Sequence, residues 1–169
     1  MPVKVRRIPM KAEMNGLNER VVNKLIEKSL HISSAESCTG GLFSALITAV
    51  PGSSAILDEA IVTYANSAKS ARLGVKEETL ENFGAVSKQT ALEMAEGIVK
   101  YANSDIGISI TGIAGPGGGS AKKPVGTVFS AICCNGDTSV YHLLINGNRD
   151  EVREETCRVV FVQLDKLLV

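Results

Sequence analysis

The distribution of apolar positions predicts three long helices. Each has a candidate N-cap directly before its first turn: Asn18 for the first, Ser87 for the second, which runs to about Tyr101, and Asn148 for the third. The apolar stripes of the three helices are Val21, Val22, Leu25 and Ile26; Ala91, Met94, Ala95 and Ile98; and Val152, Val159, Val160, Val162, Leu164 and Leu167.

Shorter segments complete an alternating pattern. Strands are predicted over residues 31–35, 60–64 and 105–111, and shorter helices over 41–49, 65–73 and 77–82, with Gly74 ending the second of these. Residues 125–134 and 138–145 flank Asn135-Gly136-Asp137, which is a strong hairpin turn. Parallel crossovers followed by one late hairpin predict the α/β class, as a three-layer α/β/α single domain around a mixed β-sheet.

Composition narrows the classes of partner. The chain has 169 residues with 18 basic and 18 acidic side chains, so no overall charge attracts nucleic acid or a membrane surface. Residues 16–169 are predicted to form the domain, and the basic residues 1–15 to form a mobile tail rather than a nucleic-acid-binding arm. The apolar runs are too short to span a bilayer and no signal-peptide pattern opens the sequence, which indicates a cytoplasmic protein.

The cysteines do not predict a metal site. The four cysteines form no C-x-x-C pair, and the chain has only two histidines. Cys133 and Cys134 are neighbours that would point to opposite faces of a strand, which suits free thiols in a reducing compartment. Neither a metal nor a cofactor is expected.

The most informative short segment is Glu36-Ser37-Cys38-Thr39-Gly40-Gly41, which links a predicted strand to a helix. This placement sets the hydroxyl of Ser37 beside the free backbone N–H groups that open the helix, where negative charge is stabilised. The segment could hold an anion or build an oxyanion site. An ordinary capped connection between a strand and a helix is the alternative.

Two further polar segments are expected at the same edge of the sheet, because ligands of such sheets bind at the carboxyl ends of strands. One segment runs from Tyr64 to Lys69, and the other from Thr111 to Ser120. Ser37 as nucleophile, Lys69 as base and Tyr64 as relay or orienter would form an acyl-transfer site. The oxyanion donors would be the N–H groups of Thr39, Gly40 and Gly41. A solvated lysine and a tyrosine at the rim are the alternative.

Three other features admit two interpretations each. Cys38 is a rival nucleophile at a helix start or a buried small residue. The glycine-rich loop from Gly115 to Gly119 could cradle a phosphate or ribose with its amides, or be a flexible loop. Arg149 and Arg153 lie one turn apart, where they could grip a phosphate or pair with neighbouring carboxylates.

Five motifs in this order resemble the C-terminal domain of the competence/damage-inducible protein CinA, whose stand-alone members are nicotinamide-nucleotide amidases. The resemblance covers about residues 17–168. The motifs are Ala35-Glu36-Ser37-Cys38-Thr39-Gly40-Gly41, Val62-Thr63-Tyr64-Ala65-Asn66-Ser67-Ala68-Lys69, Gly84-Ala85-Val86-Ser87, Thr111-Gly112-Ile113-Ala114-Gly115-Pro116-Gly117-Gly118-Gly119 and Lys123-Pro124-Val125-Gly126-Thr127-Val128.

The resemblance implies hydrolysis of nicotinamide mononucleotide to nicotinate mononucleotide and ammonia, in pyridine nucleotide recycling, without metal or cofactor. It assigns the nucleophile to Ser37, the general base to Lys69 and the assisting phenol to Tyr64. A homodimer is also expected. The substrate contacts that it implies are Glu36, Asn66, Thr111, Gly112, Ala114, Gly115 and Arg149.

Two departures from the family pattern affect affinity rather than chemistry. Ala65 stands where the family usually has serine, so any hydrogen bond from that hydroxyl is lost. Asn148 replaces the usual aspartate before Arg149, which changes the cap that presents this arginine. A nucleotide-binding module without turnover is the alternative function, because such domains also occur fused to another nucleotide-processing domain.

Overall fold

The computed structural model describes Met14 and residues 16–169. The predicted basic tail lies outside the described residues except for Met14, which is buried against the core. The helices are α1 Leu17–Lys28, α2 Leu42–Thr48, α3 Asn66–Leu73, α4 Glu77–Phe83, α5 Lys88–Ala102 and α6 Arg149–Leu167, with a short 3₁₀ turn at Ser53–Ala55. The strands are β1 Ile32–Glu36, β2 Leu57–Val62, β3 Ile106–Gly112, β4 Thr127–Cys134 and β5 Asp137–Leu144.

The five strands form one mixed sheet in the order β2-β1-β3-β4-β5. Strand β1 pairs in parallel with β2 and β3, whereas β4 and β5 are antiparallel additions. Helices α1, α2 and α6 pack on one face, and α3, α4 and α5 pack on the other. The predicted three-layer α/β/α fold with a mixed sheet is therefore confirmed.

The two faces of the sheet have separate apolar cores. Ile32 of β1 belongs to the cluster under α1, α2 and α6, while Ala35 belongs to the cluster under α3 and α5. Two glycines let α5 approach its neighbours closely. A Cβ at Gly97 would lie 2.1 Å from the carbonyl oxygen of Leu73, at the end of α3, and a Cβ at Gly107 would lie 2.5 Å from that of Ala95. The close approach at Gly97 packs the end of α3 directly against α5.

Most of the predicted helix ends are confirmed. The Ser87 hydroxyl accepts from the Thr90 N–H, Asn148 forms a capping box with Glu151, and Gly74 ends α3 with a φ of 68°.

Three details of the secondary structure were predicted incorrectly. The N-cap of α1 is Gly16 rather than Asn18, whose side-chain amide instead donates to the carbonyl of Leu46 at 3.0 Å. Strand β2 begins and ends before the predicted span, because its pairing with β1 starts at Leu57. Ile26 and Leu167, predicted on the apolar faces of α1 and α6, are exposed.

The parallel arrangement brings three chain segments to one edge of the sheet. Strands β1, β2 and β3 end there at Glu36, Val62 and Gly112. Each of the three polar segments singled out in the sequence follows one of these ends. The fold thus assembles them around the central strand β1.

Candidate active site

The turn after β1 holds Ser37 in a fixed position. Its backbone N–H donates to the carbonyl of Ile110 at 2.9 Å, which continues the pairing with β3 one residue beyond the strand. Gly40 and Gly41 have φ values of 61° and 95°, a conformation that glycine adopts without strain. The turn can therefore reverse within three residues and place Ser37 beside the start of α2.

Glu36 holds the far side of this turn. Its buried carboxylate accepts hydrogen bonds from the backbone N–H groups of Gly41, Phe43 and Ser44 and from the Ser44 hydroxyl, at 2.9 to 3.1 Å. These donors are the unpaired amides expected at a helix start. Glu36 therefore fixes α2 to β1, and it does not line the cleft for which substrate contact was predicted.

The same hydrogen bonds change the set of available oxyanion donors. The Gly40 N–H donates to the carbonyl of Ser37 at 3.0 Å, and the Gly41 N–H is held by Glu36. Within the described residues, the backbone N–H groups of Cys38 and Thr39 donate to no other residue. Of the three amides predicted as oxyanion donors, only that of Thr39 is unpaired. None of the three residues lines the cleft, whereas Cys38 does.

The Lys69 side chain extends from α3 to the turn after β1 that contains Ser37. It is 1% exposed, and its Nζ lies 3.2 Å from Ser37 Oγ, 2.7 Å from the carbonyl oxygen of Thr63 and 3.2 Å from that of Tyr64. These three partners suit an ammonium, which donates to all of them, and equally a neutral amine, which donates to the two carbonyls and accepts from the Ser37 hydroxyl. Burial lowers the pKa of Lys69, which favours this neutral form. The solvated-lysine interpretation is excluded by the burial.

Tyr64 contacts the base through its backbone rather than through its phenol. Its ring is 60% exposed at the rim, and its hydroxyl accepts a hydrogen bond from Arg149 Nη2 at 3.0 Å. Arg149 Nη1 donates to the carbonyl of Gly115 at 2.6 Å. The guanidinium thus joins the end of β2 to the glycine-rich loop, and the predicted relay role of the phenol finds no direct contact with Ser37 or Lys69 among these hydrogen bonds.

A cleft of about 270 Å³ opens above Ser37 and Lys69. The Thr111 hydroxyl on its wall donates to the carbonyl of Ala85 at 2.9 Å, which ties the end of β3 to the segment before α5. The predicted residues that line the cleft are Ser37, Tyr64, Lys69, Thr111, Gly112, Ala114, Gly115 and Arg149.

Ala85 and Val86 also lie on the wall of the cleft and were not predicted as contacts, although they belong to the motif Gly84-Ala85-Val86-Ser87. Gly117 and Gly118 line the cleft as part of the predicted glycine-rich loop, and Ile113 lies in the predicted polar segment that contains it. The Thr63 carbonyl, which accepts from Lys69, was not predicted. Asn66, predicted as a substrate contact, instead lines a separate hollow of about 610 Å³ between α3 and α4.

The two remaining alternatives are resolved by burial and contacts. Burial raises the pKa of the Cys38 thiol to about 11, so it is protonated near neutral pH and is a poor nucleophile. Arg153 does not line the cleft; its Nη2 donates to the carbonyl of Thr39 at 3.0 Å, and its Nη1 pairs with Asp150 at 3.3 Å.

Met14 and residues 16–169 contain neither a cluster of metal ligands nor a helix suited to a bilayer. Three or more His, Cys, Asp or Glu side chains do not come together there in a way that could bind a metal ion. None of the helices in that part of the chain has the length and apolar character needed to cross a membrane.

Comparison with known proteins shows similarity along nearly the whole chain. Residues 14–168 match the CinA C-terminal domain family. A relative from Clostridioides difficile, named as a competence-damage inducible protein, is 52% identical over 156 residues, which are 90% of this chain and 37% of the relative. A CinA-like protein from Kosmotoga olearia is 55% identical over 138 residues, 82% of this chain and 34% of that protein. The chain thus spans about a third of the length of these relatives.

Solved structures of similar length have the same fold. The competence/damage inducible protein CihA from Agrobacterium tumefaciens is 41% identical with a TM-score of 0.89, covering 99% of both chains. A competence-damaged protein (CinA) superfamily protein from Escherichia coli is 30% identical with a TM-score of 0.88, covering 98% of this chain and 95% of that one.

Proposed function

Because the chain belongs to the CinA C-terminal domain family, we propose that it is an amidohydrolase that converts nicotinamide mononucleotide to nicotinate mononucleotide and ammonia. The observation that carries this proposal is the buried Lys69 amine, 3.2 Å from the Ser37 hydroxyl and held by two backbone carbonyls. An amine in this setting is a general base for a serine nucleophile.

The first step is formation of an acyl-enzyme. Neutral Lys69 takes the proton of Ser37 while Ser37 Oγ attacks the carboxamide carbon. The oxygen of that carboxamide becomes an oxyanion, and the N–H groups of Cys38 and Thr39 are the donors available to it in the turn. Lys69 then gives the proton to the departing nitrogen, so that the C–N bond breaks and ammonia leaves. Lys69 makes this transfer directly or through Tyr64, whose hydroxyl accepts from Arg149 and keeps its own proton to donate.

The second step is hydrolysis of the acyl-enzyme. Water attacks the ester carbon while Lys69 accepts its proton, and the same amides stabilise the second oxyanion. Collapse of this intermediate returns the proton from Lys69 to Ser37 Oγ and releases nicotinate mononucleotide. The reaction needs one base that cycles between neutral and protonated forms, and the lowered pKa of Lys69 supports that role.

The charges of the cleft suit the proposed substrate. The pyridinium ring is positive and makes its carboxamide carbon more electrophilic, and a neutral Lys69 does not repel it. The Arg149 guanidinium at the rim provides positive charge for the phosphate. The backbone of the glycine-rich loop lines the same wall and can approach the ribose closely because Gly117 and Gly118 carry no side chains.

The test is ammonia release from nicotinamide mononucleotide by wild type, Ser37→Ala and Lys69→Ala, with a metal chelator present. We expect turnover by wild type and its loss in both variants. A folded wild type that binds the nucleotide without releasing ammonia would contradict the proposed amidase activity and favour a nucleotide-binding module. Cys38→Ala tests the alternative nucleophile, since it removes only the thiol from the wall of the cleft and should leave a Ser37 enzyme active.

A further inference from the structure

Arg153 forms one contact that the sequence predicts and one that it does not. Pairing with a neighbouring carboxylate is the predicted alternative to phosphate binding, and the ion pair with Asp150 confirms it, whereas the contact with the Thr39 backbone was not predicted. In the structure one end of its guanidinium donates to the carbonyl oxygen of Thr39 at 3.0 Å, and the other end meets Asp150 at 3.3 Å. Helix α6 is thereby joined to the turn that contains Ser37, across a sequence separation of 114 residues.

The carbonyl that Arg153 contacts belongs to a peptide unit that is held from both sides. The Thr39 oxygen also accepts from the Leu42 N–H at 3.2 Å, while the N–H of the same peptide unit, that of Gly40, donates to the carbonyl of Ser37 at 3.0 Å. A planar peptide restrained at both its oxygen and its nitrogen cannot rotate freely. The Ser37 carbonyl that accepts from the Gly40 N–H belongs to the peptide unit that carries the Cys38 N–H, so the two units restrain each other and limit the direction of the Cys38 N–H.

Two hydrogen bonds hold the start and the end of the segment from Ser37 to Thr39. The Ser37 N–H donates to the carbonyl of Ile110, and the Thr39 carbonyl accepts from Arg153. Between these two attachments lie the amides of Cys38 and Thr39. Beyond them Glu36 takes the N–H of Gly41, so charge-assisted hydrogen bonds restrain a turn that its glycines would otherwise leave flexible.

We propose that Arg153 is a positioning residue for the oxyanion site: by holding the Thr39 carbonyl, it directs the Cys38 and Thr39 N–H groups towards the reacting carboxamide oxygen. The inference rests on the proposed amidase function. Arg153 does not line the cleft, so it acts through the backbone and not through substrate contact. Its effect is expected in the transition state, where the oxyanion exists, and not in the binding of the ground state.

The test compares Arg153→Met with the matched control Asp150→Asn, using nicotinamide mononucleotide and its riboside as substrates. Arg153→Met keeps the stem of the side chain and removes the donors to Thr39. Asp150→Asn removes the ion pair of Arg153 but leaves its hydrogen bond to Thr39. We expect Arg153→Met to lower kcat on the order of tenfold to a hundredfold with little change in KM, equally for both substrates. Asp150→Asn should stay near wild type, and Arg153→Lys should lie between.

A second measurement does not depend on turnover. A fluorophosphonate forms a bond between Ser37 Oγ and phosphorus as fluoride leaves, and the developing charge on its oxygen uses the same amides. We expect Arg153→Met to be labelled more slowly than wild type by a similar factor. This readout counts only folded protein with a competent nucleophile, so reduced stability alone does not change its rate per active molecule.

The outcomes separate this proposal from the function on which it rests. A rise in KM for the nucleotide alone would make Arg153 a phosphate ligand and overturn the positioning role. Unchanged kcat and labelling in Arg153→Met, or equal loss in Asp150→Asn, would also overturn it while leaving the amidase intact. A folded wild type that neither releases ammonia nor reacts with the fluorophosphonate would overturn the amidase and the positioning role together.

Discussion

The two ends of the parallel strands treat a basic side chain in opposite ways. At the carboxyl ends, Lys69 is buried, and its hydrogen-bond partners among the described residues are a hydroxyl and two carbonyls. At the amino ends, His31 before β1 is half exposed and meets Asp58 of β2 at 2.7 Å, while Asp105 accepts from its backbone N–H at 2.8 Å. Among the described residues, Lys69 is buried and has no carboxylate as hydrogen-bond partner. His31 is half exposed to solvent and has one carboxylate at its ring and another at its backbone.

The pKa directions follow from these surroundings. Burial lowers the pKa of Lys69, whereas the hydrogen bond and charge of Asp58 raise the pKa of His31. At the amino ends the protonated form of His31 is favoured, and its pairing with Asp58 stabilises the fold. At the carboxyl ends burial disfavours the protonated form of Lys69, and the neutral amine that results can accept a proton. The comparison shows that the environment of a basic side chain decides whether its charged or its neutral form is favoured.

The largest effect should come from a permanent positive charge at position 69. In Lys69→Arg the guanidinium stays protonated and cannot accept the Ser37 proton, so we expect kcat to fall about a thousandfold. Ammonia release measures the loss, and circular dichroism checks the fold. Substantial activity in this variant would mean that a neutral base at position 69 is not needed.

The second prediction is the pH dependence of the reaction. Only neutral Lys69 is a base, so kcat/KM should rise about tenfold per pH unit at low pH and level off above the lowered pKa of Lys69, below the ordinary lysine value of about 10.4. A profile of kcat/KM against pH measures this. Asp58→Asn, at the opposite end of the sheet, should leave the profile unchanged. A profile without a rising acid limb would contradict the assignment of the base.

The third prediction concerns the buried carboxylate at the carboxyl end. Glu36→Gln replaces one acceptor oxygen by an amide NH₂, which would face N–H or O–H donors of the α2 start. We expect the free energy of unfolding to fall by about 2 kcal/mol, measured by urea denaturation. Glu59→Gln, an exposed position in β2, is the control and should change little. Equal stability of the two variants would show that the cap contributes nothing specific.

The smallest effect is expected at the amino end. Because the pKa of His31 is raised on folding, its pairing stabilises the fold fully below the unfolded value of about 6.5 and is lost as pH rises through the folded value. Thermal unfolding from about pH 5 to pH 9 should show a slightly smaller decline in Asp58→Asn than in wild type. A steeper decline in the variant would contradict the assigned direction.

The sequence predicted well what depends on local patterns. Ser87 and Asn148 were identified as caps because a small polar residue directly precedes a periodic apolar segment. Asn18 fits the same rule and is still not a cap, because a tertiary hydrogen bond to Leu46 engages its side chain and Gly16 turns the chain instead. Strand β2 was misplaced because its ends are set by pairing with β1.

The sequence predicts which residues form the candidate site better than it predicts the hydrogen bonds between them. Strand topology explains why Ser37 and Lys69 meet, and the order of elements already contains that topology. Which amide remains free depends on the hydrogen bonds of Glu36 and Gly40, which residue types do not reveal. The Tyr64 hydroxyl could not be assigned for the same reason, since its partner Arg149 is 85 residues away in the chain.

The contacts of Lys69 with its two carbonyls have a consequence for how the site is assembled. Thr63 and Tyr64 lie six and five residues before Lys69, so the amine folds back onto its own segment. The entropy of closing so short a loop is small, whereas contact with Ser37 spans 32 residues and requires β1 and β2 to pair. Residues 62–73 are therefore a nearly self-contained segment that carries the proposed general base. A designer could transplant this segment to the end of another parallel strand, provided that a neighbouring strand supplies the hydroxyl.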